Sequence, residues 1–272
     1  MNHTKNVLLA AVLATLSLQA SAHRPWLMPS LTQVDGKEPV VIIDGAVSEE
    51  LFEFDHIALK FDGAVVTDPD GVVTPAPQAA SLKSRSSFDL KLPKPGTYKV
   101  SMASKNMMAS WKEGSETRRW RGPEEAFAKQ VPANAQDLQT TITQTRMETF
   151  ITATKPSNGA LKPSGSGLEM VPVTHPNELR AGETAKWRFT LDGKALANFP
   201  FSLVPGGVRH RGVLGEIRLS TDANGEATVQ LPAGGMYWMS ASYPAGLAKG
   251  ESPKGPNPRR YSYSATLEVL PE

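Results

Sequence analysis

Four histidines follow residue 22 of this 272-residue chain (His23, His56, His175 and His210), and the chain has no cysteine. Imidazole nitrogens without thiolates suit a transition metal such as copper, nickel, cobalt or iron better than calcium or magnesium. His23 stands in the most informative place. Lys5, the apolar run Val7 to Leu18 and the small-x-small pattern Ala20-Ser21-Ala22 read as a secretory leader over residues 1–22. Cleavage after Ala22 would make His23 the first residue. An amino-terminal histidine offers two nitrogens to one ion, its α-amine and its Nδ1. An α-amine with a pKa of about 7.7–8.0 sheds its proton near neutrality. Pro25 has no N–H to deprotonate, so the third residue cannot add an amide nitrogen. The chelate then needs another donor from the fold.

His56, in Phe52-Glu53-Phe54-Asp55-His56-Ile57, is the preferred second ligand. If this segment is a strand, His56 and Phe54 share one face and Asp55 points to the other. A half-buried imidazole bonded to a backbone carbonyl is the competing reading of His56. His175 precedes Pro176 and is therefore held extended, which could orient either a third ligand or a contact between domains. His210 lies between Arg209 and Arg211, whose charges oppose a bound cation, and it reads as a loop residue. The nine methionines form no metal-binding cluster by spacing and read as core filler. No H-E-x-x-H, G-x-S-x-G, phosphate-loop or dinucleotide fingerprint occurs. The expectation is a binding protein, not an enzyme, with no catalytic residue assigned. Arg118-Arg119-Trp120-Arg121 is either an anion or partner site or a solvated basic loop.

The elements that must position these residues are strands. Runs such as Pro39–Val47, Ser87–Leu92, Thr97–Ala103 and Ile142–Ala153, with 22 glycines and 22 prolines around them, imply an all-β chain of short strands and tight turns. A less regular strand is expected over Leu51–Phe61 and a short helix near Glu124–Lys129. Residues 155–167 (KPSNGALKPSGSG) have linker composition. Seven further strand candidates follow it, as an immunoglobulin-like sandwich requires. Leu92-Pro93-x-x-Gly96-x-Tyr98-x-x-Ser101 recurs as Leu231-Pro232-x-x-Gly235-x-Tyr237-x-x-Ser240, and a Thr-Asp-x-(Asp/Asn)-Gly turn precedes each copy. The repeat predicts two related sandwiches: residues 23–154, with a polar insertion near 105–135, and residues 168–272.

A formal charge of +2, falling to +1 without Lys5, gives no reason to expect nucleic acid. The apolar run of the leader is too short for a membrane anchor. Without disulfides, the fold must rest on its hydrophobic core.

The segments Ala22-His23-Arg24-Pro25-Trp26-Leu27-Met28-Pro29-Ser30, Phe54-Asp55-His56, Arg118-Arg119-Trp120-Arg121-Gly122, Gly167-Leu168-Glu169, Val171-Pro172-Val173-Thr174-His175-Pro176-Asn177 and Gly235-Met236-Tyr237-Trp238 resemble the bacterial domain-of-unknown-function family 4198. Some members are labelled as the periplasmic component of a cobalt or nickel uptake system. The resemblance implies an exported, periplasmic all-β protein near metal uptake, and it supplies no ligands. The function expected is therefore metal binding and delivery, with one transition-metal ion and an envelope transporter or outer-membrane receptor as partners. The alternative is a non-metal interaction module serving such an envelope complex.

Overall fold

Apolar–polar alternation over short stretches, broken at proline, glycine and aspartate turns, folds this chain as strands. The computed structural model describes residues 23–247, 251, 253–255 and 258–272; the leader expected over residues 1–22 lies outside them. The first part runs β1 (Arg24–Pro29), β2 (Gln33–Val34), β3 (Val40–Ser48), β4 (Ile57–Ala58), β5 (Val65–Thr67), β6 (Val73–Pro75), β7 (Ala80–Ser81) and β8 (Ser86–Lys91). A long excursion follows: β9 (Gly96–Glu113), β10 (Glu116–Gly122), helix α1 (Glu124–Gln130) and β11 (Gln136–Ala153). The last part holds β12 (Leu168–Pro172), β13 (Thr184–Leu191), β14 (Lys194–Ala195), β15 (Pro200–Pro205), the helical turn α2 (Val208–Arg211), β16 (Ile217–Ser220), β17 (Glu226–Gln230), β18 (Gly235–Tyr243) and β19 (Arg259–Val269).

These strands form two immunoglobulin-like sandwiches that share one sheet. The common sheet runs β16-β15-β18-β19-β11-β9-β5-β6, with β11 and β19 parallel. A sheet in the order β1-β3-β8-β7 covers one face of it, and a sheet in the order β12-β13-β14, with β17 on β13, covers the other. Register explains why the two cores lie on opposite faces. Ile151 and Tyr98 sit opposite each other and pack with Val41, Ile43 and Phe88 in the first core. Phe150, one residue away, points to the other face and joins Trp187, Phe189, Leu203 and Tyr263 in the second.

Between the cores, Glu148 is buried among charges. Lys99 Nζ lies 3.6 Å and Arg146 Nη1 3.5 Å from its Oε1, and Tyr263 donates to its Oε2 at 2.8 Å. Burial, together with this carboxylate, pushes the Tyr263 hydroxyl well above its ordinary pKa. Arg146 also reaches Glu169 at 3.4 Å, which ties the common sheet to β12.

The expected strand over Leu51–Phe61 is reduced to β4. Residues 51–56 form turns and bends, because Leu51, Phe52 and Phe54 pack around Trp26 instead of alternating across a sheet. The polar insertion is not irregular: β9 and β11 extend through it as a sheet arm, with α1 packed on one face. The segment 155–167 is docked along the first unit. Ser157 N donates to Thr97 Oγ1, Thr97 N donates to Ser157 Oγ, and a Cβ at Gly159 would lie 1.8 Å from the Pro69 carbonyl oxygen.

Candidate metal centre

β1 pairs antiparallel with β3, placing Arg24 opposite Ser48 and bringing His23 beside the loop that follows β3. That loop is fixed at several points. The Asp55 carboxylate accepts the Glu49 and Glu50 amides at 3.0 and 2.8 Å, and Arg24 Nη1 donates to the Glu49 carbonyl at 3.2 Å. Asp55 is thus committed to the backbone, so it is the turn, not strand alternation, that separates its role from that of His56. Beneath lies a small core of Trp26, Ala46, Leu51 and Val204, where the two units meet. Trp26 donates to Ser48 Oγ at 2.8 Å, and Trp238 of the second unit donates to the Pro25 carbonyl at 3.1 Å.

On this support the rings of His23 and His56 stack, with centroids 4.0 Å apart and planes inclined by 8°. Both residues are exposed. His23 Nε2 lies 3.2 Å from Glu49 Oε1. A carboxylate only accepts, so this contact keeps the proton on Nε2 and leaves the Nδ1 lone pair open. Nδ1 is the nitrogen that can close a chelate ring with the α-amine. A carboxylate on the remaining ring nitrogen is the usual outer partner of a metal-bound histidine. Arg24 opposes a cation here; burial pushes its guanidinium pKa down, and nearby Glu216 partly restores it. Among the described residues, no group of three His, Cys, Asp or Glu side chains converges as a ready-made metal cage. The donors at this edge are two imidazoles and one carboxylate, to which cleavage after Ala22 would add an amine.

His175 does not join them. Its Nε2 contacts Thr97 Oγ1 at 2.9 Å and the Ser157 carbonyl at 3.3 Å, and its Nδ1 accepts the Asn177 amide at 3.2 Å. Both nitrogens are engaged at the junction of the docked segment, β9 and the second unit. Burial lowers its pKa, an effect partly offset by Glu178. Asn177 next to it donates to the Thr32 and Phe150 carbonyls, the contact between domains that the pre-proline position allowed. His210 sits exposed on α2. Sequence reasoning missed Glu49, whose place follows from the β1–β3 register and the Asp55 turn; residues 24–29 were not read as a strand, so nothing pointed to it.

The family model described as "Domain of unknown function (DUF4198)" matches residues 20–245. No curated protein matches the chain. Among solved structures, the D0-D1 domain of intimin aligns at 10% identity over 90% of this chain and 97% of that one, with a TM-score of 0.22. Trypsin-activated alpha-2-macroglobulin from Escherichia coli aligns at 12% identity over 93% of this chain but 16% of its own length, also at 0.22. The human OSCAR ligand-binding domain aligns at 13% identity over 91% and 99%, at 0.21. The sandwich assignment rests on the strand pairing and the two cores.

Proposed function

This chain belongs to the DUF4198 family, and we propose that it is a periplasmic transition-metal-binding protein that delivers its ion to an envelope transport partner. The observation that carries the reading is the stacked pair His23–His56 with Glu49 on His23 Nε2. Once the leader is removed, the α-amine and Nδ1 of His23 form a chelate and His56 adds an imidazole. Nitrogen donors of this kind favour copper(II) or nickel(II), with cobalt and iron behind them. The rings must part from their stack to face one ion, and their exposure leaves room for that. His175 is not proposed as a ligand, because both of its nitrogens are occupied. The cargo ion is bound and released without a chemical step, so no catalytic residue is assigned.

The test is copper(II) and nickel(II) titration of the chain beginning at His23. His56→Ala should weaken binding at least ~10-fold, and Glu49→Gln about 10-fold, the scale of an outer-shell partner. His210→Ala should change nothing. Affinity should fall as the solution is made more acidic, because protons compete with the ion for the same nitrogens. Equal affinities in the wild type and His56→Ala would favour the interaction-module reading instead.

A further inference from the structure

The arm formed by β9, β10 and β11 separates the Arg118–Arg121 run into two opposite faces. Arg118 turns to one side and bonds Glu113 at 2.6 Å. Trp120, on the same side, meets Phe127 of α1 edge-on at 5.6 Å and donates to Gln130. Arg118 is thereby paired, and Trp120 also reaches the rim of the cavity on the opposite face. On the other side, register places Arg119 opposite Ser110 and Arg121 opposite Met108. Ser110 in turn faces Gln139, and Thr143 lies beside Arg260 of β19. Paired residues project to the same side of a sheet, so three arginines from two distant strands converge.

They line a cavity of about 550 Å³ together with Ser110, Gln139 and Thr143, within the usual size range of small-ligand sites. Among the described residues, neither Arg119 nor Arg121 has a hydrogen-bond or ion-pair partner. Arg260 Nη1 donates to the Glu251 carbonyl at 3.3 Å, and Glu251 also lines the cavity. Arginine forks match carboxylate oxygens two at a time, and three of them on one wall repel each other until an anion sits between them. The hydroxyl and amide groups below add neutral donors. Met108, 45% exposed, gives the cavity an apolar wall that an organic anion can use and an inorganic one cannot. The geometry points to a binding site for a small organic polycarboxylate on this face, independent of the histidine edge.

The test is calorimetric titration of the metal-free chain with citrate at fixed ionic strength, with inorganic phosphate and glycerol in parallel. One citrate should bind per chain, and glycerol should not bind. Arg121→Gln and Arg260→Gln should each weaken citrate at least ~10-fold, as loss of a charge-assisted pair does, while Arg118→Gln should stay within about 2-fold of wild type. Arg121→Lys, which keeps the charge but loses the fork, should fall between. Unchanged melting curves show that each variant is folded. Absence of saturable citrate binding, tighter binding of phosphate than of citrate, or an equal loss in Arg118→Gln would overturn the assignment.

Discussion

The same corner is built twice in this chain, once in each sandwich, and only one copy is used to hold the molecule together. In both, a tyrosine donates to the carbonyl four residues upstream: Tyr98 to Lys94 at 3.0 Å and Tyr237 to Ala233 at 2.9 Å. In both, an aspartate accepts two amides of its own turn, those of Asp70 and Val72 at Asp68, and those of Asn224 and Glu226 at Asp222. Gly96 and Gly235 follow with φ of 136° and 134°. The copies then diverge. Lys94 reaches Asp68 and Asp70 at 2.6 Å each, whereas the second unit has Ala233 in its place. Gly96 is pressed between Pro69 and Ser157; Gly235 has open space. The first corner receives the docked segment 155–167, and His175 closes over it through Thr97. What repeats is scaffold, and both proposed sites lie where the copies differ: the β1 edge with His23, and the arm.

The largest effect should come from the seam the two units share. Glu148→Ala strips the buried Lys99 of its carboxylate and leaves Arg146 with Glu169 alone, and should cost about 3–5 kcal/mol. Because both cores pack on one sheet, denaturant unfolding should remain a single transition followed alike by both cores; two separated transitions would break the shared-sheet account. Next come the glycines. Gly96→Ala must overcome its backbone angle, a Pro69 Cβ at 2.5 Å and the Ser157 Oγ of the docked segment at 2.7 Å, and should cost ~3 kcal/mol, against ~1 kcal/mol for Gly235→Ala, where only the angle opposes it. Equal losses would mean the docked segment does not hold the first corner.

The smallest effect is in acid. Burial pulls the Asp68 carboxyl up, but hydrogen bonds from Lys94 and from the Val72 and Asp70 amides outweigh it and leave it below the usual range. The Glu226 and Asn224 amides do the same for Asp222. A carboxyl depressed in the folded state contributes stability above its unfolded pKa of about 3.9, and that stability is lost as pH falls through the folded value. Asp68→Asn and Asp222→Asn should therefore each flatten the fall in melting temperature below about pH 4, and Asp68→Asn should also leave Lys94 with Asp70 as its remaining charged partner.

The corners, the turns and most strands were legible because their signals are local: a proline–glycine step before a tyrosine, and alternation over a few residues. The far halves of β9 and β11 were not, because Ser104 to Glu113 and Gln136 to Thr141 are polar arm residues with little core to mark them. The segment Leu51–His56 misled for the opposite reason; its apolar residues serve Trp26 and not a sheet face. His23 and His56 were nameable as chemistry, but their stacking depends on the β1–β3 register and a turn tied by Asp55, both beyond local pattern. The division of Arg119 and Arg121 from Arg118 and Trp120 follows strand alternation, once the segment is known to be a strand.

The central claim turns on the amine of His23. Copper(II) titration of the chain beginning at His23, beside the same chain with its α-amine acetylated, isolates that donor without disturbing either ring. The account predicts that acetylation weakens binding at least ~10-fold, since it removes one nitrogen of the chelate ring. Equal affinity in the two chains would contradict it.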